Sequence, residues 1–118
     1  MKTDNVIQQK SFTYAVRIVK LCKLLKEERR EFDMSKQLMR NGTSIGANVE
    51  EALGGQSNRD FISKLSIAYK EARESGFCLK LLFELKYVNE SEAKSIIDDT
   101  EELCKILSAI LTTSKNKK

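Results

Sequence analysis

The sequence predicts an all-α fold, an antiparallel up-down-up-down four-helix bundle. Three observations carry that reading. There is no Pro and only five Gly in 118 residues, and Pro both breaks helix interiors and punctuates loops. Apolar residues recur at three-four spacing through four long segments, about 6–28, 34–54, 58–86 and 90–113. The breaks between segments are short, which makes consecutive helices antiparallel neighbours. The chain reads as one domain over 1–118, large enough to bury a core without disulfides.

In the first segment Phe12, Ala15, Val19 and Cys22 form one stripe. Tyr14, Ile18, Leu21 and Leu25 form another beside it. Lys10, Arg17 and Lys20 fall on the opposite side. The second segment starts near Asp33, a residue suited to an N-cap, and stops at Gly54-Gly55. Its stripe of Met34, Leu38, Asn41, Ile45, Asn48 and Ala52 places two amides on a core-like seam. Gly42 and Gly46, four apart, suit the close approach of another helix.

Ser57, with Asp60 three residues on, caps the third segment. Its seam is Phe61, Leu65, Ala68, Ala72, Ser75, Leu79 and Leu82, narrowed in the middle by small residues. From Phe77 to Leu85 this helix is apolar nearly all round. A helix apolar on every side asks for a second partner, so the sequence predicts a homo-oligomer. Asn89 and Glu92 cap the fourth segment. Its seam is Ala93, Ile96, Thr100, Leu103, Leu107 and Ile110, with Ile97, Cys104 and Leu111 alongside.

Lys plus Arg number 21 and Asp plus Glu 17, a formal net charge of +4. Residues 1–31 alone carry a net +4, from eight basic and four acidic side chains. The tail Lys115, Lys117 and Lys118 adds to it. The stripe Lys10, Arg17 and Lys20 is therefore the candidate nucleic-acid-binding surface. Repeated around a ring of subunits, it would accumulate phosphate contacts. No aromatic residues interleave with it, so binding there would follow the backbone of RNA or DNA.

Enzymatic constellations fail in turn. The chain has no His, which removes the usual triad base and the histidine ligands of di-iron bundles. It has no phosphate-binding loop and no dinucleotide turn. Cys22, Cys78 and Cys104 form no CxxC pair and read as reduced, buried thiols. We therefore expect no metal, no cofactor and no catalytic residue. No apolar run suggests a signal peptide or a membrane span, so the expected location is the cytoplasm. One polar group stands out: Gln37, Arg40, Ser44, Asn48 and Glu51 on the second helix, facing Glu71 or Glu74 on the third. It reads either as a structural network that sets helix pairing or subunit contacts, or as a small-ligand pocket.

The stretch SKQLMRNGTSIGANVEEALGGQSNRDFISKLSIAYKEARES, residues 35–75, resembles the family of four-helix-bundle proteins encoded in 23S rRNA intervening sequences. The resemblance rests on Gln37-Leu38 with Arg40, Ser44-Ile45, Asn48-Val49 with Glu51, Arg59, Phe61, Leu65, Ile67-Ala68 and Glu71. It implies a homopentameric ring. It also implies similarity to the accessory proteins of diversity-generating retroelements, which bind nucleic acid and a reverse transcriptase. The chain departs from the family at Met39-Arg40, where paired basic residues are frequent, and at Ala52, where Gly is frequent. Two functions of different kinds are consistent with these features. One is a non-enzymatic ring that binds structured RNA or DNA through basic surface. The other is a ring-shaped module that holds a partner protein, with no physiological nucleic-acid ligand.

Overall fold

In the computed structural model, four helices form a bundle around a common core: α1 (Lys2–Arg29), α2 (Asp33–Leu53), α3 (Asn58–Glu84) and α4 (Glu90–Lys115). The structure describes residues 2–116, with side chains from Val6 onward. Lys117 and Lys118, expected to extend the basic tail, lie outside the described residues. Each helix packs on its neighbour in sequence, and α1 closes the ring against α4 far more lightly than the other pairs meet. The bundle measures 49 × 20 × 19 Å.

Most positions of the predicted seams form the core, while Met34 and Asn48 of α2 and Phe61 of α3 are half-buried. Leu65, Ala68, Ala72, Ser75, Leu79 and Leu82 of α3 are buried, as are Ala93, Ile96, Thr100, Leu103, Leu107 and Ile110 of α4. Of the two α1 stripes, only one faces inward throughout. Tyr14, Ile18, Leu21 and Leu25 are buried. Phe12 of the other stripe turns outward at 70% exposure, and Ala15 and Val19 are half-buried.

Helix α1 starts at Lys2, four residues before the expected 6, and α4 runs to Lys115, two past the expected 113; two further ends depart in their capping. Asp33 lies inside the first turn of α2 and does not cap it. Glu31 does the capping: its carboxylate accepts from the N–H groups of Met34 and Ser35 at 3.2 and 2.8 Å, and Ser35 Oγ donates back to its carbonyl at 2.7 Å. A side chain two residues upstream reaches the orphan donors because the Arg30–Phe32 connection folds it over them. Helix α3 ends at Glu84, two residues short of the expected 86. There Lys86 takes the left-handed conformation at φ 66°. The N–H of Tyr87 bonds Leu82 O at 2.9 Å, and that of Lys86 bonds Phe83 O at 2.9 Å. This is the Schellman closure, with Lys where Gly is usual. Arg29 holds it from outside, donating to the carbonyls of Lys86 and Tyr87 and lying 5.1 Å over the Tyr87 ring. The caps expected at Ser57 and Asn89 form, accepting from Asp60 N–H and Glu92 N–H.

The two glycines of α2 differ in role. A Cβ on Gly42 would sit 2.7 Å from Ile18 Cγ2, and Ile18 is fully buried. A Cβ on Gly46 would meet only Ser11 O at 3.5 Å, an ordinary contact. Overpacking a core costs about 1–3 kcal/mol, whereas Ala gains about 1 kcal/mol over Gly in a helix interior. Gly42→Ala should therefore destabilise the fold and Gly46→Ala should stabilise it by about 1 kcal/mol. Urea unfolding midpoints of the two variants check this, and equal shifts would refute the packing role of Gly42.

At the centre of the core lies a chain of hydroxyls. Tyr14 Oη is 2.6 Å from both Ser75 Oγ and Thr100 Oγ1, and Thr100 Oγ1 donates to Ile96 O at 2.8 Å. Each hydroxyl has one proton to give, so the direction is fixed: Ser75 donates to Tyr14, Tyr14 to Thr100, and Thr100 to the carbonyl. Burial pushes the Tyr14 phenol up from 10.0 to about 12, against the pull of the two hydroxyls. Burial likewise pushes the Cys22 and Cys78 thiols from 9.0 to about 11. All three groups are protonated in the fold and ionise more readily once unfolded. Their contribution is complete below the unfolded values and is lost as pH rises through the folded ones. For Tyr14 the two-unit rise is worth on the order of 2–3 kcal/mol. Stability should fall from about pH 9 upward. Tyr14→Phe should be less stable at neutral pH by about 1–2 kcal/mol, yet lose less between about pH 10 and 12. Denaturant midpoints across that range test the sign.

Candidate nucleic-acid interface

The basic stripe of α1 meets acids of α4. Lys10 Nζ pairs with Glu102 at 3.1 Å. Arg17 binds Asp99 at 2.7 Å, Glu92 at 3.3 Å and Ser95 Oγ at 2.8 Å. Burial works against the Arg17 charge, but the hydrogen bond to Asp99 and the charge of Glu92 outweigh it, and its pKa is raised. These pairs bridge the lightly packed α1–α4 seam. Lys20 is exposed and makes no ion pair among the described residues. Two of the three predicted cations thus already face carboxylates, because α4 concentrates its acids opposite α1.

The polar group between α2 and α3 assembles around a residue outside the predicted set. Asn41 is buried, and its amide donates to Glu71 at 2.6 Å and Glu74 at 3.0 Å. Gln37 donates to the Asn41 carbonyl at 2.9 Å, and Arg40 donates to Gln37 at 2.8 Å. Asn48 turns back on its own helix, to Ser44 O and Oγ. Glu51 pairs with Lys64 of α3 at 2.9 Å. Glu71 and Glu74 therefore join Gln37 and Arg40 through Asn41, while Ser44, Asn48 and Glu51 do not enter that chain. Every polar atom of the Asn41 side chain is used, and no buried side-chain nitrogen or oxygen lacks a partner among the described residues. These hydrogen bonds link α2 to α3 through Asn41. No group of three or more Cys, Asp or Glu is placed to hold a metal ion among the described residues.

A third surface was not singled out by sequence. Between α3 and α4 runs a groove of about 820 Å³. Ala72, Gly76 and Thr100 form its floor, and Arg73, Lys80 and Lys105 stand along its walls against one acid, Glu101. None of the three cations makes an ion pair among the described residues. Burial raises the Cys104 thiol in this groove, and the charges of Arg73 and Lys80 pull against that rise. Tyr69, half-buried, and Phe77, 70% exposed, edge the same groove. Tyr69, Arg73 and Phe77 are spaced i, i+4, i+8, which sets them in one row on α3. That spacing was the signal available in the sequence. It was passed over because this stretch reads first as a seam narrowed by small residues, with only Phe77 in the apolar surplus that follows. Of the three thiols, Cys22 and Cys78 are buried and Cys104 is half-buried, and all are free.

The profile of the 23S rRNA-intervening sequence protein family matches residues 3–109. The chain belongs to that family. Among solved structures, it is similar to a protein of unknown function from the S23 ribosomal protein family of Bacteroides thetaiotaomicron VPI-5482, solved at 1.70 Å. The two are 49% identical, with 93% of this chain and 98% of that one covered and a TM-score of 0.91. Comparison with curated proteins gives no match. The 23S rRNA-intervening sequence family is not named for any reaction. Among the described residues, no helix is long and apolar enough to cross a membrane.

Proposed function

We propose that this family member is a non-enzymatic, homo-oligomeric bundle that binds RNA or DNA through phosphate contacts in the α3–α4 groove. The observation that carries this reading is the row of cations, Arg73, Lys80 and Lys105, standing without carboxylate partners beside a single acid. Unpaired cations along a groove attract a polyanion and release its counterions on contact. The α1 stripe contributes little, since Lys10 and Arg17 are already neutralised. Assembly is supported by apolar side chains left at the surface: Phe12 and Val16 on α1, and Leu81 and Leu85 at the C-terminal end of α3 and its cap. The resemblance adds a ring of five cytoplasmic subunits. A module holding only a partner protein would use the same apolar patches and leave the groove cations without a task.

The test combines light scattering with anisotropy titrations of a labelled structured RNA. We expect a species near five times 13.5 kDa. Affinity should fall steeply between about 50 and 200 mM salt. Replacing Lys80 and Lys105 together by Ala should flatten the log–log salt slope by about 2, roughly one for each phosphate no longer neutralised. Arg17→Ala should leave affinity within about twofold, while lowering stability by up to about 1 kcal/mol through the surface pairs it removes. Salt-independent binding, or full binding by the groove variant, would overturn the assignment. A clean monomer would remove the assembly.

A further inference from the structure

Resting on the same groove, we infer that it is a single-stranded site, in which unpaired bases stack on Tyr69 and Phe77 while their phosphates follow the cations. The two rings are eight residues apart on one helix, about 12 Å along its axis at 1.5 Å per residue. Arg73 lies between them in the row, with its guanidinium 6.0 Å from the Tyr69 ring centroid and donating to Tyr69 Oη at 3.4 Å. An Arg plane beside an aromatic ring is itself a stacking surface for a base.

Shape favours a single strand over a duplex. The groove lies between two helices in direct contact: a Cβ on Gly76 would come within 3.3 Å of Thr100 Cγ2. Its floor is therefore shallow and its width is one inter-helix furrow, about 8–10 Å between axes. A duplex, whose bases are turned inward, presents only backbone to such a furrow. A single strand lays its phosphates along the walls and turns bases onto the rim, the arrangement of positively charged grooves with aromatic platforms. Exposure points the same way. Phe77 shows 70% of its surface to solvent on a helix whose core is already filled. Lys80, one turn on, and Lys105, across on α4, flank it.

The experiment uses the full chain and two RNAs of equal length, an unstructured pyrimidine-rich strand and a blunt duplex, titrated at one salt concentration. The strand carries 2-aminopurine, whose fluorescence is quenched when the base stacks. The strand should bind more tightly than the duplex and be quenched. Phe77→Ala should weaken the strand at least about fivefold, the low end for losing one base–aromatic stack, and the duplex less than about twofold. Phe77→Leu should behave like Ala, and Phe77→Trp should restore both affinity and quenching. Because Phe77 is exposed, none of these replacements disturbs the core. Equal loss for strand and duplex, or wild-type behaviour of Phe77→Leu, overturns stacking and leaves phosphate binding in place. Loss of salt-dependent binding to both RNAs overturns the phosphate reading and stacking with it.

Discussion

The register of the bundle turns on one buried phenol. Tyr14 brings a hydroxyl from α1 into the core, and a hydroxyl there without a partner costs about 1–3 kcal/mol. It finds two, Ser75 on α3 and Thr100 on α4, so three helices are registered by a single atom. The chain ends properly because Thr100 passes its proton to a carbonyl of its own helix. Apolar packing alone tolerates sliding between helices, whereas a directed chain of hydroxyls has one register. The small residues around it follow: Ser75 and Gly76 let α3 come close to α4, and Gly42 of α2 admits Ile18, one turn on from Tyr14.

That geometry sets the electrostatics. With α1 held to α4 by Tyr14 and little apolar contact, the seam between them is completed by Lys10–Glu102 and Arg17–Asp99/Glu92. Exposed pairs of this kind add little stability. Their larger effect is to cancel charge, so the positive excess of residues 1–31 is smaller at the folded surface than in the sequence. Between α2 and α3 the carboxylates of Glu71 and Glu74 turn inward onto the Asn41 amide. The α3–α4 groove is left with uncompensated cations.

Helices and core were legible because they rest on periodicity, which is local. Every position of the main α4 seam predicted from spacing is buried, while Ile97 and Cys104 of the seam beside it are half-buried, and the caps at Ser57 and Asn89 form from residues three apart. The helix ends were less legible. The connections after α1 and α3 put Arg30 and Lys86 at positive φ, where the sequence offers no Gly to mark the turn. Arg29 holds the α3 end from a site 57 residues away in sequence. The basic stripe misled because spacing on one helix says nothing about what the opposite helix carries. Asn41 was placed on the core seam, yet its role as the link between Gln37 and two glutamates needed the pairing of α2 with α3. The row Tyr69, Arg73, Phe77 lay open in the spacing, and only its α4 wall gives it a groove.

The exposed apolar side chains of this bundle lie mostly outside the α3–α4 groove. Phe12 and Val16 project from the outer face of α1, and Leu81 and Leu85 from the C-terminal end of α3. None of the four lines the α3–α4 groove. Burying them between subunits would remove large apolar exposures from water, which is the ordinary drive for association, and Leu81 shares the α2–α3 furrow with Arg73 and Phe77. Phe77 stands where the two regions meet, lining both the α3–α4 groove and the furrow between α2 and α3. Its ring is therefore the point at which packing by a neighbouring subunit and stacking by a base would compete. A ring of subunits can serve as a binder only if its interface stops at Leu81 and leaves that face of Phe77 open.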